Sequence, residues 1–428
     1  MSALATRQVY GERLGAQGGG YAETVPTLVV ETVAADDIGL LIPLLDARDP
    51  LLFIRRGEGV AGIGETLRLE FTGPTRLADA AAAWRSLVAD SVVTDPIALP
   101  GSGLIALGSF AFSEDSAATS VLIVPAVVIG RRAGRSWITR INAANAPIPI
   151  PTVLGPEYRI SLKPGAMSPD AFVAAVDAAI AEIREGGVRK VVLARDLVGR
   201  LPEGADLRRV LTYLALGYPD SFTYAVNGLV GSSPETLVRV DRGSVTARVL
   251  AGTVGRGDDA DSDLAASVAL ATSTKDLDEH QYAIASVLRS LAPHSSTLAT
   301  SDQPFTLKLP NLWHLASDVE GTLSDGATSL DLVAALHPTA AVAGSPTDAA
   351  LDLISRLEPF DRGRYAGPVG WVDGNGDGEW AVALRCAHVS STGRITAYAG
   401  AGIVVESQPT KELAETKMKF RPIVEAFS

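Results

Sequence analysis

A lysine stands inside an apolar run at Arg189-Lys190-Val191-Val192-Leu193-Ala194-Arg195, sharing one face of a strand with Val192 and Ala194. Loss of solvation in such a place favours the neutral amine, which could then take a proton as a general base. An edge-strand lysine that blocks aggregation would give the same pattern. Further on, Ser232-Ser233-Pro234-Glu235-Thr236-Leu237 sets a carboxylate just after a proline at the mouth of a strand. Half-buried, that glutamate would keep its proton and serve as a general acid; in a surface turn it would do neither.

Acids gather in two later helices. Thr274-Lys275-Asp276-Leu277-Asp278-Glu279-His280 opens a helix with an apolar stripe at Leu277, Ile284, Leu288 and Leu291. Asp276 and Asp278 suit the positive end of the helix dipole and need no other role, whereas Glu279 borders the stripe. In the last helix Glu412, Glu415 and Lys419 share a face at i, i+3 and i+7. Glu415 and Lys419 make an ordinary i, i+4 surface pair; alternatively a divalent cation relieves the repulsion between the two glutamates. All-oxygen donors with no cysteine or paired histidine nearby suit a hard ion such as Mg²⁺.

Other groupings are weaker. Tyr398-Ala399-Gly400-Ala401-Gly402-Ile403 leaves backbone amides uncovered for a ligand but lacks the third glycine of a dinucleotide fingerprint. Arg385, between Leu384 and Cys386 in an apolar strand, offers a fork matched to a carboxylate. At Leu336-His337-Pro338-Thr339 the proline forces His337 out of helix, and the small residues Ala340–Gly344 form a candidate ligand wall. Asp373-Gly374-Asn375-Gly376-Asp377-Gly378 matches the start of an EF-hand loop, but position twelve is Leu384 where a glutamate is required. Its strand-like flanks make it a hairpin turn.

The elements that must hold these residues follow from periodicity. Residues 1–150 read as strands with one helix at Ala78–Ala89; the strands fall at Leu51–Arg55, Thr66–Phe71, Leu104–Phe112, Ser120–Ile129 and Trp137–Ile141, and Gly57–Gly64 reads as a glycine-rich separator. Pro147, Pro149, Pro151 and Pro156 mark a connection between a variable N-terminal portion of the same body, 1–155, and the region that holds the residues above, 156–428. Ser168-Pro169-Asp170 starts a helix that Gly186-Gly187 stops, and Val188–Val198 is a strand. Helices at Asp206–Leu216, Asp263–Ala271 and Asp276–Leu291 alternate with strands at Phe222–Leu229 and Val245–Ala251. Two short helices, a long hairpin, a glycine-containing strand and a final helix close the chain. Helices and hairpins mix without βαβ regularity, which predicts an α+β fold: an α/β sandwich with two large antiparallel sheets surrounded by helices.

Composition narrows the partners. The 428 residues carry 37 Lys and Arg against 49 Asp and Glu, a net charge of −12, so binding to nucleic acid or to an anionic membrane is not expected. Cys386 is the only cysteine, which excludes an intrachain disulfide and a cysteine zinc cluster. Met1–Gly20 lacks the apolar core of a signal peptide, and Val121–Ile129, broken by Pro125, is far short of a membrane span. A cytoplasmic protein is expected.

Taken in order, Lys190-Val191-Val192-Leu193-Ala194-Arg195, Ser233-Pro234-Glu235, Ala251-Gly252-Thr253, Lys275-Asp276 with Glu279-His280, and Trp313-His314-Leu315 make a series. Leu336-His337-Pro338-Thr339, Arg385-Cys386-Ala387, Ala399-Gly400-Ala401-Gly402-Ile403 and Glu412-x-x-Glu415-Thr416 complete it. The series resembles the chorismate-utilising enzymes, most closely the isochorismate synthases, over roughly residues 160–428. Val60-Ala61-Gly62-Ile63-Gly64 and Gly108-Ser109-Phe110-Ala111-Phe112 echo the family in the front portion.

The resemblance implies a Mg²⁺-dependent conversion of chorismate to isochorismate. Lys190 stands where the family's base activates water for attack at C2, and Glu235 where its acid protonates the departing C4 hydroxyl. Glu279 and Glu415 match metal ligands, with Glu412 near the metal or its waters. Arg385 and Lys419 match carboxylate-binding cations, Gly400 backbone contacts, Ala341 and Val342 the pocket wall, and His314 the neighbour of the reacting ring. Amination branches carry glutamine where Lys190 stands, so no glutaminase subunit is expected; the protein is read as a monomer. Salicylate synthases share the lysine but have an aromatic-Pro-Ala sequence where His337-Pro338-Thr339 occurs here, and remain the alternative. A non-catalytic binding protein on the same fold is a further reading. Leu277 departs from the arginine that relatives often place there.

Overall fold

The computed structural model describes residues 6–10, 27–36, 38–144, 146–147 and 149–428. Apart from 6–10, the stretch Met1–Gly20 read for a signal peptide lies outside the described residues, as do positions 145 and 148 of the proline-rich connection.

Among the described residues, strands form two sheets, of eleven and thirteen members, with helices packed around them. Pairing is antiparallel except for Thr6–Tyr10 beside Leu67–Phe71 and Val29–Ala35 beside Val92–Thr94. The expected sandwich of large antiparallel sheets is therefore the observed one. Strands from the front of the chain are built into both sheets: Leu51–Arg55 pairs with Phe222–Val226, and Ile105–Ser109 with Pro368–Asp373. The core follows from sequence, since Val191, Leu193, Trp371, Trp380 and Ile403 are all fully buried between layers.

Several expected strands divide. Ser120–Ile129 is two strands, Ser120–Val124 in one sheet and Val127–Arg132 in the other, because Pro125 cannot donate to a ladder. Phe222–Leu229 turns at Asn227-Gly228, both at positive φ, and returns as Leu229–Ser233. The glycine-rich separator is itself a strand, Glu58–Ile63, hairpinned onto Leu51–Arg55. The long strand Leu312–Leu323 is buried on both faces over its first half and reaches solvent over its second.

Other expectations hold at residue level. Ser168 Oγ accepts the Ala171 N–H at the start of Pro169–Glu185, and Gly186 ends that helix in left-handed conformation. The Asp373–Gly378 turn is a hairpin: the Asp373 carboxylate accepts backbone N–H groups from Gly101 (3.0 Å), Asn375 (2.8 Å) and Asp377 (3.1 Å). In Thr274–Leu291 the buried face is His280, Ala283, Val287 and Leu291, rotated from the expected stripe because a histidine takes a core position. His280 can do so because burial drives it neutral, down to about 4, with its ring nitrogens facing Ala251 O (3.2 Å) and Ser317 Oγ (3.0 Å).

Candidate active site

The chain changes sheets twice side by side. Leu229–Ser233 lies in the larger sheet and Thr236–Asp241 in the smaller, so Pro234-Glu235 is a crossing. Gly378–Val382 and Cys386–Val389 likewise lie in different sheets, with Arg385 in the crossing between them. The two crossings are tied together: Ser232 N–H donates to Arg385 O (3.1 Å), and Val382 N–H to Glu235 O (3.2 Å). Arg385 is thus not in regular strand, as its flanking sequence implied; it sits at φ 48°, a conformation costly for a non-glycine residue and found where surroundings enforce it.

A cavity of about 490 Å³ opens beside these crossings. Glu235, Glu279, His314, Ala341, Val342, Arg385, Gly400, Glu412, Glu415 and Lys419 all line it. Lys190, from the strand Lys190–Arg200, stands behind Glu279, with its Nζ 2.9 Å from Glu279 Oε1. At 1% exposure it is no edge-strand gatekeeper.

Glu235 is likewise buried rather than in a surface turn. Desolvation pushes its carboxyl up to about 8, against the pull of Lys190, Arg385 and Lys419, so it holds a proton at neutral pH. Glu279 goes the other way: burial opposes its charge, but Lys190, Lys275 and Lys419 outweigh that and hold it below the usual range. Two buried glutamates in one cavity therefore differ in protonation, the separation that acid and base chemistry requires.

His314 stands between the crossings and the strand Ser244–Gly255. Its Nδ1 faces Gly252 O (3.2 Å) and Thr253 Oγ1 (3.0 Å), and its Nε2 faces Arg385 Nη2 at 3.3 Å. A carbonyl only accepts and a guanidinium only donates, which fixes Nδ1–H and a lone pair on Nε2. Burial and the charges of Arg385 and Lys419 hold this imidazole neutral. Gly252, at φ 83°, makes the bulge where the ladder to Leu312–Leu323 slips, turning this segment toward the cavity.

The final helix presents Glu415 to Lys419 at 2.6 Å, and Lys419 Nζ also donates to Gly400 O (3.0 Å). Glu412 meets Lys275 at 3.4 Å. Burial and the neighbouring Glu415 raise Glu412, while burial, Glu279 and Glu415 raise Asp276. Carboxylates that raise one another call for a cation. Among the described residues no three metal-ligating side chains already converge on one point. Mg²⁺ does not demand that, because it commonly takes one or two carboxylates and completes its shell with water and substrate. The oxygen-only donor set fits such an ion.

Sequence reasoning gave no site role to Asp276, Thr253, Lys275 or Tyr365, all of which line the cavity. Asp276 looked like a dipole partner, and Tyr365 lies in a connection without periodicity. His337 is turned away: its ring Nε2 meets Phe112 O at 2.9 Å, and only its neighbours Ala341 and Val342 reach the cavity.

Known proteins resemble this chain in sequence and in fold. The isochorismate synthase DhbC of Bacillus subtilis is 39% identical over 284 residues, covering 64% of this chain and 70% of that protein. A solved Bacillus anthracis structure, assigned as the 2,3-dihydroxybenzoate-specific isochorismate synthase DhbC, superposes with TM-score 0.75 at 31% identity, covering 90% of this chain and 98% of that one. The menaquinone-specific isochorismate synthase MenF of Escherichia coli has the same fold, with TM-score 0.76 at 24% identity over 94% of this chain and 95% of its own. The family model described as chorismate binding enzyme matches residues 151–428, the stretch that supplies every cavity residue named above, and the chain belongs to that family.

Proposed function

We propose that this protein is an isochorismate synthase, converting chorismate to isochorismate with Mg²⁺. The observation that carries the reading is Glu235, a buried carboxyl held protonated in a cavity that also presents Arg385 and Lys419. A dianionic substrate entering a protein of net charge −12 needs such local cations.

Arg385 and Lys419 bind the substrate carboxylates, and the walls at Ala341, Val342 and Gly400 hold the ring. Neutral His314 stands beside it and cannot add positive charge. Lys190 is the base, taking a proton from the water whose oxygen bonds to C2. The ring double bonds shift, the C4–O bond breaks, and Glu235 gives its proton to the leaving hydroxyl, which departs as water. Atoms balance: one water enters and one leaves. Glu279 and Glu415 would hold Mg²⁺, with Glu412 beside it; the ion supplies charge neutralisation for the substrate's ring carboxylate.

Lysine at position 190 disfavours amination, so no glutaminase subunit is needed, and the chain acts as a monomer in the cytoplasm. Among the described residues no helix is long and apolar enough to cross a membrane. The experiment is incubation of pure protein with chorismate and Mg²⁺, followed by chromatographic separation. Isochorismate as the main product supports the reading. Salicylate plus pyruvate would make the protein a salicylate synthase, and turnover only with ammonia an amination enzyme. Chorismate binding without turnover would leave a binding protein.

A further inference from the structure

The strand carrying Lys190 has a neighbour along one whole edge, Arg394–Ile403, but only fragments along the other. Gly344–Ser345 covers Lys190 and Val191, and Lys163–Pro164 covers Leu197 and Val198. Between them the Val192 carbonyl and the Ala194 N–H face a gap that no strand fills. Such buried backbone groups need partners.

They find them in two side chains. Arg362 Nη2 donates to Val192 O (2.7 Å), and Ala194 N–H donates to Glu358 Oε1 (2.7 Å). The two side chains are themselves paired, Nη2 to Oε1 at 2.6 Å and Nε to Oε2 at 2.8 Å, and both are almost wholly buried. Arg362 Nη1 then reaches Val342 O (3.0 Å), in the cavity wall, and the guanidinium lies over the Phe112 ring, 4.5 Å from its centroid.

We infer that Glu358 and Arg362 are a positioning pair: an ion pair standing in for a missing strand segment, which fixes the strand bearing Lys190 against the wall formed by Ala341 and Val342. One planar fork spans three acceptors from three separate segments, a task a single ammonium cannot perform. The inference rests on the proposed role of Lys190 and does not place either side chain on the substrate.

The test uses full-length Arg362→Lys and Glu358→Gln. With chorismate and Mg²⁺, kcat should fall about 10–100-fold, the scale set by small misplacement of a reacting group, while KM changes little. Amide hydrogen exchange over residues 190–196 should accelerate more than in the rest of the chain. Lysine at 362 should not rescue turnover, although it keeps the charge. A folded Arg362→Lys with wild-type kcat and unchanged exchange over 190–196 would overturn the inference. Should that variant fail to fold, Glu358→Gln decides by the same two readouts. If the wild-type protein makes no isochorismate, it is the proposed activity that fails, and exchange over 190–196 still decides the positioning role.

Discussion

Lys190 Nζ lies 2.9 Å from Glu279 Oε1, and the two side chains cross directly over the bare Cα of Gly402. A Cβ on residue 402 would stand 2.6 Å from Glu279 Oε1 and 3.2 Å from Lys190 Cε. The cavity thus depends on a glycine for space as much as on charge. Gly402→Ala should displace one partner of the pair and lower kcat by about tenfold or more, since sub-ångström placement governs such steps. Steady-state kinetics beside a thermal melt checks this; wild-type kcat in the variant would show that the pair has room to spare.

Removing either of the two groups proposed to transfer protons should abolish most turnover. Lys190→Gln and Glu235→Gln are each expected to reduce kcat by about 10²–10⁴-fold, the range for general acid–base groups. Product chromatography measures it, and near-wild-type rates in either variant would mean the role is misassigned.

The protonation of Glu235 gives a pH signature. Its carboxyl titrates at about 8 in the folded chain against the usual 4.5, so the acid form and the activity should decline as pH rises through about 8. Stability runs the same way. Between 4.5 and about 8 the folded state holds a proton that the unfolded state has lost, so the contribution of Glu235 to stability is greatest below 4.5 and falls across that window. Glu235→Gln cannot ionise and should escape this loss. Its melting temperature should gain on wild type steadily from pH 5 to pH 8.5; a gap independent of pH would contradict a buried acid.

Metal dependence should follow the carboxylates. Glu279→Ala and Glu415→Ala are expected to raise the Mg²⁺ concentration needed for half-maximal rate by at least the ~10–100-fold that loss of a metal's outer partners costs. Glu279→Ala also leaves buried Lys190 without its partner carboxylate, so its melting temperature should drop further than that of Glu415→Ala. Calorimetric Mg²⁺ titration in the presence of chorismate separates the two effects.

Much of this was readable from sequence, for identifiable reasons. The helix at Pro169–Glu185 carries its own start and stop in Ser168 and Gly186. The acids of the last helix share a face because 3.6 residues per turn leaves them no choice. What stayed hidden was set by pairing at a distance. Arg385 reads as strand from its apolar neighbours, yet the need to pass between sheets bends it to positive φ. His280 reads as polar, yet two hydrogen bonds make it a core residue. Asp276 and Tyr365 reach the cavity only because of how their segments dock, which no local spacing encodes.

The paired sheet crossings carry one further consequence. Glu235 and Arg385 occupy the only stretches through which Leu229–Asp241 and Gly378–Val389 pass from one layer to the other. Neither layer can melt alone without pulling the acid away from the cation it faces. Melting of either layer should therefore end turnover.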